Sequence, residues 1–200
     1  MSRQYCTRCH RPLVTCICSL SCNIDNNVDI WLLQHPSEEK QSKGTATLTH
    51  LSLRNCRVLI AEDFSHCEPL NQIIADAEIN VILLYPGEDA KLATKQSLAE
   101  QLKTVVLVLD GTWKKAYRMY QLSKNLKNIV KITLADTIKS QYLIRKHHKD
   151  NDVSTIEACA HALIALEGDN EKYQPLLESF ANFNQFQLSL VPAHKTVIKE

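Results

Sequence analysis

TVVLVLDGTWKKAYRMY, residues 104–120, decides the fold. Its first six residues are β-branched or leucine and nearly continuous in their apolar character, as in a strand covered on both faces. The run ends on Asp110, turns through Gly111 and passes into a helix near Trp113. Asp-Gly favours a tight turn, and Thr112 is placed to cap the helix that follows. In open α/β sheets ligands gather at the carboxyl ends of strands, so Asp110, Thr112 and Trp113 also stand where a ligand would bind. Taken alone, the segment supports the structural and the functional reading equally.

Working outward, four similar apolar runs appear: VDIWLL from Val28, RVLIA from Arg57, NVILLY from Asn80 and IVKITL from Ile129. Helical spacing is predicted over 45–55, 69–78, 90–103, 113–123, 154–167 and 171 to about 186. This alternation predicts an α/β domain with a mostly parallel sheet of about five strands flanked by helices. The chain has only 4 glycines and neither a GxGxxG nor a GxxxxGK[ST] signature, which argues against a dinucleotide fold or a P-loop enzyme. With 200 residues it can bury one substantial core plus a small appendage. The expected division is a zinc-binding module and polar linker over 1–27 and an α/β domain over 28–200. No run approaches the ~18 apolar residues of a membrane span, and no apolar secretory segment is seen, so a cytoplasmic protein is expected.

The chain has 8 cysteines. CTRCHRPLVTCIC, residues 6–18, presents a CxxC pair, six intervening residues and a CxC pair. Four thiolates at this spacing suit one tetrahedral zinc ion, so Cys6, Cys9, Cys16 and Cys18 are the expected ligands, with Cys22 and His10 as possible substitutes. A site closed by four thiolates leaves no place for an activated water, so the metal would be structural. Unliganded or redox-active thiols are the competing reading.

The formal net charge of +1 hides an asymmetry. Residues 114–149 hold ten Lys or Arg and one acid, a local charge of +9, which leaves −8 on the remainder. Such a block suits a phosphate-rich partner, although a solvated helix face would carry the same charge. Other segments with two readings are QHPSE from Gln34, the Gly44-Thr45 pair, LYPGEDA after the third strand, and SQYLIRKHHK with Tyr142 and Arg145. STIEACAHALIALEG opens with a capping box, Ser154 to Glu157, whose helix N-terminus also suits an anion.

In this order, across about residues 6–167, the motifs resemble the DTW-domain family. The resemblance rests on the CxxC and CxC cysteines, LQHPSE, Gly44-Thr45, LYP, LDGTW, SQYLIRK and STIEA, and the DxTW signature falls on Asp110, Thr112 and Trp113. It implies a SPOUT-like knotted core and, from members with this cysteine cluster, the activity of bacterial tRNA-uridine aminocarboxypropyltransferases. Those use S-adenosylmethionine to alkylate N3 of a uridine in the tRNA variable loop and release 5′-methylthioadenosine. Asp110, Thr112 and Trp113 would then be the catalytic set, with Asp110 as the general base for the weakly acidic N3 proton. By the same resemblance Leu84, Leu109 and Trp113 line the S-adenosylmethionine pocket, and Thr112, Ser154, Thr155 and Glu157 hold its polar groups or shape its loops. Arg145 pairs with the cofactor carboxylate or an RNA phosphate. Lys114, Lys115, Arg118, Lys146 and Lys149 are the expected phosphate contacts. Two alternatives stay open: an S-adenosylmethionine-dependent RNA methyltransferase, and a non-catalytic zinc-ribbon RNA-binding protein in which Asp110 only shapes a turn.

Overall fold

The computed structural model describes residues 4–99, 101–135 and 153–190. Its strands are β1 (Asp29–Gln34), β2 (Cys56–Ile60), β3 (Ile79–Leu84), β4 (Lys91–Leu92), β5 (Lys103–Asp110) and β6 (Val130–Thr133). They form one six-stranded sheet in the order β2-β1-β5-β3-β6-β4. Every strand pair is parallel. The helices are α1 (Ala46–Ser52), α2 (Glu68–Ala75), α3 (Trp113–Leu122), α4 (Thr155–Glu167) and α5 (Asn170–Ser189).

Alternate residues of the central strands feed two separate cores, as the period of two along a strand requires. Ile30, Leu32, Ile82, Val106, Val108 and Ile132 pack with α1, α4 and α5 on one face. Trp31, Leu33, Leu83, Val105 and Leu107 pack on the other face with Leu70 of α2 and Met119 and Tyr120 of α3. With both faces covered, the strands need no polar alternation, which is why they read as continuous apolar runs. Ile17 and Ile24 of the N-terminal segment are buried in the first core, and the Ser179 hydroxyl of α5 donates to the Leu20 carbonyl at 2.5 Å.

Two expectations are corrected. The sheet has six strands rather than about five, and the helix expected over 90–103 does not form. Its place is taken by β4, a 3-10 turn at Lys95–Ser97, and the start of β5. The Ala93 amide donates to the Thr133 carbonyl at 2.9 Å, so pairing with β6 claims a group a helix would need. Thr94 and Ser97 then close a capping box around the 3-10 turn. No helix among the described residues is long and apolar enough to cross a membrane.

Candidate active site and metal centre

Parallel register sets Gln34, the last residue of β1, beside Asp110, the last residue of β5. Gln34 Nε2 donates to Asp110 Oδ2 at 2.7 Å. The Thr155 hydroxyl, at the first turn of α4, donates to Oδ1 of the same carboxylate. Asp110 is 6% exposed, so the two neutral donors replace the water that a buried carboxylate would otherwise lose. α4 is aimed by its own cap: the Ser154 amide and hydroxyl donate to Glu157 Oε2 at 2.8 and 2.7 Å. The Ile156 amide reaches Thr45 Oγ1 at 3.3 Å, which joins α4 to the start of α1. The segments from Gln34, Thr45, Asp110 and Ser154 therefore converge on one end of the sheet.

Beside this end, the His35 amide donates to the Asp110 carbonyl at 3.0 Å. The His35 ring accepts from the Ser37 amide at Nδ1, 3.1 Å away. That bond assigns the ring proton of the neutral form to Nε2, which faces Glu62 Oε1 at 3.4 Å. Glu62 also receives Arg118 Nε at 2.7 Å. Lys115 Nζ lies 2.6 Å from Oε1 of Glu38, a residue only 9% exposed. Two of the expected phosphate contacts, Lys115 and Arg118, are thus held by acids, whereas Lys114 is exposed and forms no ion pair among the described residues. Arg145, Lys146 and Lys149 lie outside the described residues, as does Tyr142.

Thr112 caps α3, its hydroxyl accepting from the Lys115 amide at 3.4 Å. Trp113 is the first residue of that helix and is 52% exposed. Leu84 and Leu109 are both half-buried at strand ends, but Leu84 packs with the core on the Asp110 side and Leu109 with the opposite core. Gln34, the residue the sequence reading left without a role, is Asp110's amide partner; its place at the head of QHPSE, directly after a strand, was the available signal.

At the N-terminus, Cys6, Cys9, Cys16 and Cys18 place their sulfur atoms all within 4.8 Å of one another. The closest pairs are Cys6 with Cys18 at 3.6 Å and Cys9 with Cys16 at 3.7 Å. Tetrahedral thiolates at the usual ~2.3 Å from zinc would stand about 3.8 Å apart, so the donor set fits that ion. The turn is made by His10, whose φ of 55° lies in the left-handed region, with its amide donating to the Cys6 carbonyl at 2.9 Å. Histidine is among the non-glycine residues that tolerate this conformation. Backbone hydrogen bonds from Cys9 and Arg8 lower the Cys6 thiol to about 6. Burial, followed by the neighbouring thiols, pushes Cys18 up to about 12. Among the described residues the metal-competent group leaves out Cys22 and His10.

A parallel α/β domain with an acid at a central strand end and a four-cysteine knuckle defines the class. The chain belongs to the DTW-domain family, whose model, described as DTW domain, matches residues 3–188. It is 31% identical over 194 residues to tRNA-uridine aminocarboxypropyltransferase 2 of Drosophila melanogaster, covering 93% of this chain and 76% of that protein. It is 28% identical to tRNA-uridine aminocarboxypropyltransferase 2 of Macaca fascicularis, covering 93% of this chain but 64% of that protein, so it spans less than two thirds of that relative's length. To tRNA-uridine aminocarboxypropyltransferase A of Arabidopsis thaliana it is 27% identical, over 88% of this chain and 78% of the relative. These relatives are animal and plant proteins, whereas the sequence resemblance points to bacterial members with the same activity. No solved structure matches the chain at a significant level.

Proposed function

We propose that this protein transfers the 3-amino-3-carboxypropyl group of S-adenosylmethionine to N3 of a uridine in tRNA and releases 5′-methylthioadenosine. The observation that carries the reading is the buried Asp110 carboxylate, fixed as an acceptor by Gln34 and Thr155 at the ligand end of a parallel sheet. Donors on both oxygens keep Asp110 in its carboxylate form, the form a general base requires. Bound S-adenosylmethionine supplies a carbon already activated by its sulfonium, so no acid is needed to release the thioether. Asp110 takes the N3 proton, and the nitrogen lone pair so exposed forms the new N–C bond as the C–S electron pair returns to sulfur. Orientation then decides which carbon reacts.

Thr155 positions Asp110, while Ser154 and Glu157 are engaged with each other and position α4. Leu84, on the Asp110 side of the sheet, offers an apolar wall for the adenosyl group, Trp113 closes the pocket from the start of α3, and Leu109, whose side chain faces the opposite core, borders it through its β5 backbone. Arg145 binds the cofactor carboxylate or an RNA phosphate. Cys6, Cys9, Cys16 and Cys18 hold a structural zinc ion in a module of residues 1–27 that packs onto the catalytic domain of residues 28–200. A SPOUT-like knotted core is what the family resemblance implies; α4, which follows β6 in sequence, docks its N-terminus against Thr45 and Asp110. A cytoplasmic setting, where thiols stay reduced, suits a chain with this many free cysteines.

The test is to incubate purified protein with tRNA and S-adenosylmethionine and identify both products by mass spectrometry. Methylthioadenosine with an aminocarboxypropyl-uridine is expected. S-adenosylhomocysteine with a methylated nucleoside would establish methyl transfer instead, and methylthioadenosine without a modified uridine would count against the reading.

A further inference from the structure

We propose that Tyr117, on the outer face of α3, is a stacking platform for an unpaired nucleobase of the RNA. The inference rests on the tRNA reading above and adds a recognition surface to it. α3 packs on the sheet through Ala116, Met119 and Tyr120. Tyr117 belongs to neither core and is 58% exposed, so the fold does not require an aromatic there. Residues four apart on a helix lie on one face, which sets its ring on the same stripe as the half-exposed Trp113 of the DGTW turn.

The stripe continues into a supporting aromatic pair. Tyr85, directly after β3, stacks on Tyr120 with ring centroids 4.7 Å apart and planes inclined by 21°. Tyr117 stands three residues before Tyr120 on α3, a spacing that makes the two side chains neighbours on the helix surface. Lys127 Nζ sits 3.7 Å from the centroid of the Tyr120 ring.

Charge selects the occupant. Residues 114–135 carry six Lys or Arg and no acid. Lys115, Arg118 and Lys131 are neutralised by Glu38, Glu62 and Asp89. Lys114 and Lys127 form no salt bridge among the described residues, and Lys124 acts on Asp63 only through space. An exposed tyrosine ring flanked by lysines outside any salt bridge fits a nucleic acid strand, in which bases stack and phosphates meet ammonium groups. An apolar protein partner would gain nothing from the cations.

The test uses two fluorescein-labelled probes of equal length, an octamer of uridine and an abasic sugar-phosphate octamer, alongside unmodified tRNA. Fluorescence anisotropy is expected to show the uridine probe binding about tenfold tighter than the abasic one. Tyr117→Ala should abolish that preference while Tyr117→Phe, which keeps the ring, retains it. An equal preference in Tyr117→Ala and wild type, or no preference in wild type, overturns the platform while leaving the tRNA reading intact. Wild type that binds tRNA but neither octamer also overturns it. Failure to bind tRNA at all removes both.

Discussion

Asp110 concentrates the chemistry in one side chain. Asp110→Asn keeps the shape: its single carbonyl oxygen can accept from Gln34 while its NH2 donates to the Thr155 hydroxyl oxygen, but it cannot take a proton. Product formation should fall by about 10²–10⁴-fold with the far-ultraviolet circular dichroism unchanged. Undiminished transfer would return Asp110 to the turn-shaping role. The residues around it separate into those readable in sequence and those that are not. Thr112 as a cap and the Ser154–Glu157 box were legible because each closes on a neighbour three residues away. That Gln34 and Thr155 serve Asp110 was not, because they stand 76 and 45 residues from it and meet it only through strand register and helix docking. The basic residues carry the same lesson. Lys114 and Lys115 are adjacent in sequence, yet Lys115 is committed to the nearly buried Glu38. Lys114→Ala should reduce the salt slope of tRNA binding by about one while leaving the melting temperature alone. Lys115→Ala should instead cost about 1–3 kcal/mol of stability by stranding Glu38. Equal salt slopes in wild type and Lys114→Ala would remove Lys114 from the RNA footprint.

Among the elements, five apolar strands and five of the six expected helices were visible in the sequence, because length and continuity distinguish strands covered on both faces. The exception, 90–103, has helical spacing but docks at a sheet edge, and a two-residue strand such as β4 leaves no period to detect. α4 shows how an element is held at both ends. Its N-terminus carries the capping box, and its last residue, Glu167, accepts from the Asn27 and Val28 amides at 2.9 and 3.0 Å and from Lys172 Nζ at 2.7 Å. Burial opposes the charge on Glu167, but Lys172 and the Val28 amide outweigh it and hold the carboxyl below its usual value. A carboxylate whose folded pKa is depressed stabilises fully above its unfolded pKa, about 4.3, and loses that stabilisation as pH falls through the lower folded value. Thermal melts from pH 7 down to pH 3 should therefore show Glu167→Gln less stable at neutral pH, with its gap to wild type closing in acid. A gap independent of pH would mean that the glutamate charge plays no part in anchoring α4 to β1.

At the scale of the whole molecule, the cysteine knuckle and the Asp110 site lie in separate parts of the sequence yet share a border. Arg11, inside the cysteine segment, donates to the Ser42 and Gly44 carbonyls at 2.7 and 3.1 Å and lies 5.5 Å over the Phe183 ring of α5. Gly44 precedes Thr45, whose hydroxyl accepts from Ile156 beside Thr155. The spacing of the cysteines made the metal site legible, but nothing in it indicates that the knuckle braces the loop leading to α1. If one zinc ion holds the four sulfurs, purified protein should contain about one equivalent of zinc by elemental analysis, and replacing Cys6 and Cys9 with Ser should remove it. Loss of a tightly held ion worth about 3 kcal/mol would lower the melting temperature by roughly 6–12 °C for a chain of this size. Arg11 binds the loop through backbone carbonyls that persist without metal, and Gln34 and Thr155, which hold Asp110, come from residues after the knuckle. S-adenosylmethionine binding by calorimetry should therefore survive in the double Ser variant, while tRNA binding weakens as the N-terminus loosens. Loss of cofactor binding in a variant that still melts cooperatively would instead show that the brace through Arg11 and Gly44 sets the geometry at Thr45 and Thr155, making the knuckle part of the cofactor site's support.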